Sequence, residues 1–420
     1  MGSLSMEEVE ELVEKLMKGR IKLHEVENYT RNDANEGARV RRAFLEKKYG
    51  VELKNIAYSS IDFNDSISRN IENPIGATQV PLGCAGELKV NGDYANGYYP
   101  ILLATTEGRL VAGISRGITV FNKAGGVNTR VIKDGMTRDI LVRTPSVKEA
   151  VKLAKWVESK EGFEFLSEAF SKSTKHGKLK EVKPYVLGRD VHLRFRAETG
   201  AAMGMNMVTI AAKAAVDEMI PKVEKELGIE VAIISESGNV CTDKKPAYIN
   251  VLEGRGVSVV ADALLPRDVV LERFRVEPEL IAELNRVKNL EGSALAGSHG
   301  FNAHVANILA AMYIAYGQDV AQIVEGSQAI VEASVVNGDL YVSCYLPAIE
   351  VGTYGGGTKR ETQKEALKLL GLYGEGDEEG KTRLAFAEVV AATCLVGDVN
   401  LLAVQAAGEL SKCHAQIKRG

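Results

Sequence analysis

Cysteine is scarce in this chain: five residues in 420, at positions 84, 241, 344, 394 and 413, with no CxxC pair among them. So scattered and odd a set argues against a disulfide framework or a thiolate zinc site and fits reduced thiols in a cytoplasmic setting. The six histidines form no HxxxH pair, so no metal is expected. Charge of one sign is also missing. A net charge of −4 offers no general attraction to nucleic acid or to an anionic membrane, and any anion site must be built locally. No uninterrupted apolar run approaches the roughly 20 residues of a membrane span, and no secretory leader is visible. Met6 stands where a myristoylation signal after Gly2 wants Ser or Thr. What is present is ordinary for a globular protein, 45% hydrophobic and 26% charged, and long enough for two or three domains.

The richest stretch is Ser237-Gly-Asn-Val-Cys-Thr-Asp243-Lys244-Lys245-Pro246. It lies between two apolar runs, Val231 to Ile234 and Ala247 to Leu252, both read as strands. Pro246 lacks an N–H and disfavours helix at Lys245, so the loop is expected to be extended there. Away from water, one ammonium can stabilise an oxyanion on a carbonyl while a second holds a carboxylate. A solvated charged turn is the ordinary explanation of a lone D-K-K, so other stretches must decide.

Helical spacing of Val9, Leu12, Val13 and Leu16 predicts a first helix stopped by Gly19, and a second is expected from Asp33 to Tyr49. Asn91-Gly92 predicts a tight hairpin whose return strand ends at Thr105-Thr-Glu107-Gly108, with a carboxylate at the strand end. Arg138, in Asp134-Gly-Met-Thr-Arg138, presents a planar fork suited to a carboxylate. Residues 139–235 read as β-α-β-β-α-β, with Ser146 and Glu149 as a capping box and a long helix from near Met203. That helix opens at Thr199-Gly-Ala-Ala-Met-Gly-Met-Asn206, a glycine-containing N-terminus of the kind that seats anions. Lys172, Lys175, His176 and Lys178 concentrate positive charge just upstream.

Further on, an apolar helix runs from His304 to Gly317-Gln-Asp319, leaving Asp319 at an unfavourable helix C-terminus. A second hairpin is predicted across Asn337-Gly338. Gly352-Thr-Tyr-Gly355-Gly356-Gly357-Thr358 would let a ligand approach the backbone closely. The acidic loop 374–380 reads as plain surface, and a last helix from Asn400 to about Lys412 leads to Cys413-His414.

Nine stretches in order carry a resemblance: Glu72-Asn-Pro-Ile-Gly76, Thr105-Thr-Glu-Gly108, Asp134-Gly-Met-Thr-Arg138, Met203-Gly-Met-Asn206, Thr242-Asp-Lys-Lys-Pro246, Asn302-Ala-His304, Gly317-Gln-Asp319, Gly352 to Thr358 and Cys413-His414. Together they make the chain similar to 3-hydroxy-3-methylglutaryl-coenzyme A (HMG-CoA) reductases over nearly its whole length. The match is to the soluble catalytic portion of the class I type, and more closely to archaeal members.

The resemblance implies reduction of the HMG-CoA thioester to mevalonate by two hydrides from NADPH, with release of coenzyme A. It implies Lys244 as the oxyanion cation, Glu107 as proton donor to the aldehyde stage, Asp319 between them, and His414 as the acid for the departing thiolate. Arg138, Ser237, Asp243 and Lys245 would hold the acyl carboxylate and hydroxyl, with His304 and Asn307 near. Met203, Gly204, Met205, Asn206 and Gly355, Gly356, Gly357 and Thr358 would meet the dinucleotide. Ser173, Thr174 and Lys175 would read its 2′-phosphate.

The implied fold is α+β. An N-terminal helical part (1–60) would precede a large mixed substrate domain around a central helix (61–138 and 236–420). A ferredoxin-like NADP-binding domain (139–235) would be inserted, and homodimers or dimers of dimers would build sites with Glu72 to Gly76 at the interface. Neither nucleic acid nor membrane is an expected partner. The chain departs from the family pattern with Ala201 in place of aspartate before Ala-Met-Gly-Met-Asn, Lys175 in place of arginine, and Pro74 in place of valine. The alternatives weighed are a coenzyme A thioester hydrolase using the same lysine, and a cofactor-impaired relative.

Overall fold

The computed structural model describes residues 3–67 and 70–408, and these fall into two compact units: those up to 81 with 359–365, and 82–358 with those from 366 to 408. In the smaller unit, helix α1 (Met6–Met17) buries Val9, Leu12, Val13 and Leu16 on one face, as their spacing predicts. Its capping box is complete. The Ser5 hydroxyl accepts the Glu8 N–H, and the Glu8 carboxylate accepts the Ser5 N–H. Helix α2 (Ala34–Tyr49) starts on Asp33 and stops where Gly50 turns left-handed. Val26, Val40 and Phe44 join the two helices in one apolar cluster.

The larger unit is built on nine strands: β1 (Leu82–Asn91), β2 (Asn96–Ala104), β3 (Val127–Arg143), β4 (Lys178–Leu187), β5 (Asp190–Glu198), β6 (Ala232–Ser235), β7 (Gly256–Leu265), β8 (Ile330–Val336) and β9 (Asp339–Ile349). One path runs β2-β1-β3-β7-β9-β8, while β5 and β6 also pair with β3, and β4 with β5. The switch happens within β3: residues 128–135 pair with β7, and residues 136–143 with β5. The chain is thus mixed α+β, as expected. Its second sheet is antiparallel in the order β6-β3-β5-β4.

Helices α3 (Val147–Glu158) and α4 (Lys160–Lys172) follow β3, and α5 (Met205–Leu227) follows β5. The helix between the first two strands of a plain β-α-β-β-α-β count is thus two consecutive helices, the second covering the further helical run expected at Phe163 to Phe170. Ile140, Leu153, Phe170, Leu193, Phe195, Val216 and Met219 bind it into one core. Ser146 caps α3 through the Lys148 N–H, but its hydroxyl also faces the Glu149 carboxylate, so the cap is not the reciprocal box expected.

Three local expectations change. Ala247 to Leu252 is not a strand: Tyr248–Glu253 forms a short helix, α6. Its buried residue is the polar Asn250, bonded to Gln328 and Thr242, so polar anchoring overrides the apolar pattern. Asn91-Gly92 does not make a two-residue turn either. Asn91 pairs with Asn96, and the four residues between wrap a buried carboxylate, Glu388, whose oxygens accept the N–H groups of Asp93, Tyr94 and Ala95. The acidic 374–380 loop is more than surface: Asp377 accepts the Gly380 and Thr382 N–H groups, and Gly380 lies against Gly200. By contrast, the Asn337-Gly338 hairpin forms as predicted, both residues having positive φ.

The last helix begins far earlier than Asn400. After α7 (Val305–Ala315), helix α8 spans Lys381–Ala406 and is buried along almost its whole length. By length and composition it is apolar enough to cross a membrane, against the expectation of no such run; 89% of its most apolar window is buried inside the protein. Glu388, Asp398 and Asn400 interrupt the run in sequence. Asp398 is held by the Ala303 and His304 N–H groups, as Glu388 is by the β1–β2 loop. Replacing Glu388 with alanine leaves three donors without their acceptor. The expected loss is about 3 kcal/mol or more of unfolding free energy, readable in urea denaturation.

Candidate active site

Lys244 sits in a loop made of consecutive turns, with Asn239 (φ 71°), Thr242 (φ 62°) and Lys244 itself (φ 58°) in the left-handed region. For a lysine this is uncommon and has to be held by its surroundings. The Lys244 N–H donates to Glu325 Oε1, and its ammonium lies 3.0 Å from Asp319 Oδ2. Asp319 is not at a helix end that repels it. The apolar helix stops at Ala315, and Asp319 instead caps the short turn Val320–Gln322, its Oδ1 accepting the Ala321 N–H at 3.1 Å. One oxygen positions the carboxylate and the other faces the lysine.

Glu107 follows the end of β2, where the Thr105 hydroxyl accepts its N–H at 3.0 Å. Its carboxylate takes the Asn307 amide at 2.8 Å, not Lys244, so Lys244 with Asp319 and Glu107 with Asn307 form two pairs. His304, at the start of α7, bonds the Gly397 carbonyl through Nε2 at 3.0 Å. Glu107, His304 and Asn307 line a cavity of about 380 Å3 whose other walls include Leu110, Ile114, Leu401 and Val404. A carboxylate on the wall of a largely apolar cavity suits a ligand with a long uncharged arm. His414, with Cys413, lies outside the described residues.

Arg138 donates to the Ser237 hydroxyl at 3.1 Å, joining two of the residues expected to bind substrate. Lys245 is exposed and turns back onto the Asp243 carbonyl at 2.9 Å. Asp243 points the other way, accepting from Gln322 at 3.1 Å and from Arg255 at 3.0 Å. Burial alone would raise its carboxyl; the Gln322 amide with Arg255, Lys244 and Arg138 outweighs burial and leaves it below the usual range.

Arg255 is what the sequence reading missed. It lies between Gly254 and Gly256, just ahead of β7, yet its side chain is fully buried. Its guanidinium reaches Asp243, Glu325 and Gln322, with Glu350 at 3.3 Å and Met205 Sδ at 3.1 Å. One cation therefore ties the lysine loop to the Asp319 segment, the strand before the triple glycine, and the start of α5. Two glycines flanking one arginine were the only signal available.

The two stretches expected to meet a dinucleotide lie side by side. The Ala201 carbonyl accepts the Thr353 N–H at 2.8 Å, and a Cβ on Gly352 would lie 2.6 Å from the Met203 nitrogen. Gly204 is left-handed and caps α5, with Met205 and Asn206 as its first residues. Gly355 and Gly356 also have positive φ and open space on their Cβ sides, while Gly357 and Thr358 pack against Gly317. Ser173 ends α4, and Thr174 accepts the His176 and Gly177 N–H groups. Exposed Lys175 projects from that turn, and a Cβ on Gly177 would come within 3.0 Å of Met207 Cε on α5. Ala201 itself is buried next to Gly374.

Residues 37–419 match the sequence profile of hydroxymethylglutaryl-coenzyme A reductase. A 3-hydroxy-3-methylglutaryl-coenzyme A reductase of Pyrococcus abyssi is 50% identical over 98% of this chain and its own full length. That of Aeropyrum pernix is 48% identical, covering all of this chain and 99% of the relative. Among solved structures, a class II reductase from Streptococcus pneumoniae, bound to NADPH, superimposes with a TM-score of 0.61 at 16% identity, over 87% of this chain and 96% of that one. At that identity the likeness speaks for the fold alone. Profile, relatives and fold agree over nearly the full length, and the chain belongs to the hydroxymethylglutaryl-coenzyme A reductase family of oxidoreductases.

Proposed function

We propose that the protein reduces 3-hydroxy-3-methylglutaryl-CoA to mevalonate and free coenzyme A with NADPH, as a class I, archaeal-type member of its family. The observation that carries this reading is the 3.0 Å Lys244–Asp319 pair, on a loop that also presents Ser237 and lies beside Arg138. Lys244 is placed to stabilise the oxyanion that forms when the thioester carbonyl becomes a hemithioacetal. Asp319 keeps the ammonium oriented. Arg138 and Ser237 hold the acyl carboxylate and hydroxyl with Lys245, while Asp243, tied to Gln322 and Arg255, anchors the loop that carries them. Glu107, steadied by Asn307, donates the proton at the aldehyde stage, and His304 helps wall the cavity that takes the pantetheine arm. His414 is assigned the proton for the thiolate.

NADPH supplies the two hydrides. The residues present fit it: the open Cβ faces of Gly355 and Gly356 admit a flat ring, and the Gly204 start of α5 offers free N–H groups to phosphate. Residues 139–235 are read as the cofactor-seating part, with Ser173, Thr174 and Lys175 at the 2′-phosphate, residues 1–60 as a helical cap, and the remainder as the substrate part. Cytoplasmic homodimers, or dimers of dimers, complete this reading.

The deciding experiment is a single-turnover measurement of NADPH absorbance and thiol release on mixing the chain with HMG-CoA. Oxidation of two NADPH per thiol supports reduction. Thiol without oxidation would make the chain a thioester hydrolase, and no change would make it an inert relative. Lys175→Ala is expected to reduce the preference for NADPH over NADH in kcat/KM by roughly tenfold, one charge–phosphate contact's worth. An unchanged preference removes Lys175 from the 2′-phosphate site.

A further inference from the structure

Glu325 and Glu350 are both fully buried, and both face Arg255. With Asp243 they set three carboxylates around one guanidinium, an arrangement that fixed charges alone would not hold. Glu325 Oε2 and both oxygens of Glu350 have no hydrogen-bond partner. Burial pushes the Glu325 carboxyl up to about 7 against the pull of Arg255, and also raises Glu350 well above the usual carboxylate range, so the pair retains a proton near neutrality. Neither glutamate is exposed to the open site. One oxygen, however, also reaches beyond the cluster: Glu325 Oε1 accepts the backbone N–H of Lys244, whose φ is 58°.

We propose that Glu325 is a positioning residue for Lys244, its buried carboxyl oxygen holding that backbone in the left-handed conformation that aims the ammonium at Asp319. The logic is geometric. A lysine pays to enter that region, and the hydrogen bond from its own N–H to a buried acceptor selects it. Arg255 fixes the acceptor, being bonded to Glu325 Oε1 at 3.0 Å and to Gln322 at 2.8 Å. Asp319 and Glu325 stand on the same segment, so one short stretch sets both the backbone of the lysine and the partner of its side chain. For turnover, this rests on the reading of Lys244 as the oxyanion cation.

Two substitutions separate reach from charge. Glu325→Gln keeps an oxygen at the same reach and removes a charge the cluster already half-neutralises; kcat should fall about threefold or less. Glu325→Asp keeps the acid but withdraws the oxygen by about 1.5 Å. Its kcat should fall about a hundredfold, as ångström-scale misplacement of a catalytic group can, while KM for the thioester stays within about threefold. If the aspartate variant does not fold, Glu325→Met, of similar reach with no acceptor, takes its place with the same expected loss.

A second readout does not need turnover. After reductive 13C-methylation of the lysines, the Lys244 signal, assigned by its loss in Lys244→Arg, should move in Glu325→Asp or Glu325→Met and stay in Glu325→Gln. Wild-type turnover with NADPH tests the function separately. Equal loss in Gln and Asp variants, an active Asp variant, or an unmoved Lys244 signal in the Asp and Met variants would overturn the positioning role whether or not the wild type reduces HMG-CoA.

Discussion

Lys244→Ala is expected to lower kcat about a thousandfold, equivalent to about 4 kcal/mol of transition-state stabilisation, with KM for HMG-CoA changed only a few-fold. The size follows from what the ammonium meets in each state. In the ground state it is already satisfied by Asp319 at 3.0 Å, so it adds little to substrate binding. Charge appears on the thioester oxygen only as the hemithioacetal forms, and an interaction made only then lowers kcat and kcat/KM together when lost. Asp319 should behave as part of the same unit. A Lys244→Ala, Asp319→Asn double variant is expected to be about as slow as Lys244→Ala alone, because the carboxylate acts through the lysine. Rapid-quench measurement of the first hydride step checks both. Losses that simply multiply would separate Asp319 from the ammonium and break the proposed pair.

The second large effect is expected at Glu107. Glu107→Gln keeps the bulk and a partner for the Asn307 amide, which now bonds the carboxylate at 2.8 Å, but cannot give up a proton. Loss of a general acid costs roughly 10²- to 10⁴-fold, and a decrease in that range is expected for reduction of the free aldehyde supplied as substrate. Thioester binding should persist, since the apolar walls of the cavity are untouched. Asn307→Ala should slow the same aldehyde step by a smaller factor, by releasing the carboxylate without removing it. If Glu107→Gln reduced the aldehyde at the wild-type rate, the proton would have to come from another group.

Much of this arrangement could be read before the structure. Helices α1 and α2, the 337–338 hairpin, strands β4 and β5 and the start of α5 follow from spacing and caps that compete with nothing else. The failures share a cause. Ala247 to Leu252 looks like a strand because its residues are apolar, but Asn250 fixes it as a helix through two partners remote in sequence. Helix α8 is hidden by Glu388 and Asp398, which mark a surface by composition yet sit in the core because distant backbone N–H groups satisfy them.

The site divides in the same way. Lys244, Asp319 and Glu107 stand out as residue types beside turns, but which carboxylate meets the lysine depends on the fold. Sequence reading expected one cluster, where the chain forms a Lys244–Asp319 pair and a Glu107–Asn307 pair. Arg255 was invisible because a buried arginine is recognised only by its partners, and these lie on four different segments.

Strand β3 carries a last implication. Because one unbroken run from Val127 to Arg143 hands its edge from β7 to β5 near Gly135, the proposed acyl and dinucleotide halves are grafted onto a common beam. Cutting the chain between 138 and 139 would saw through that beam and strand two raw sheet margins, so the halves should not survive as separately expressed fragments. Swapping a foreign cofactor module into this protein would have to preserve the beam whole, splicing after Arg143 and not at the point where the sequence first changes character.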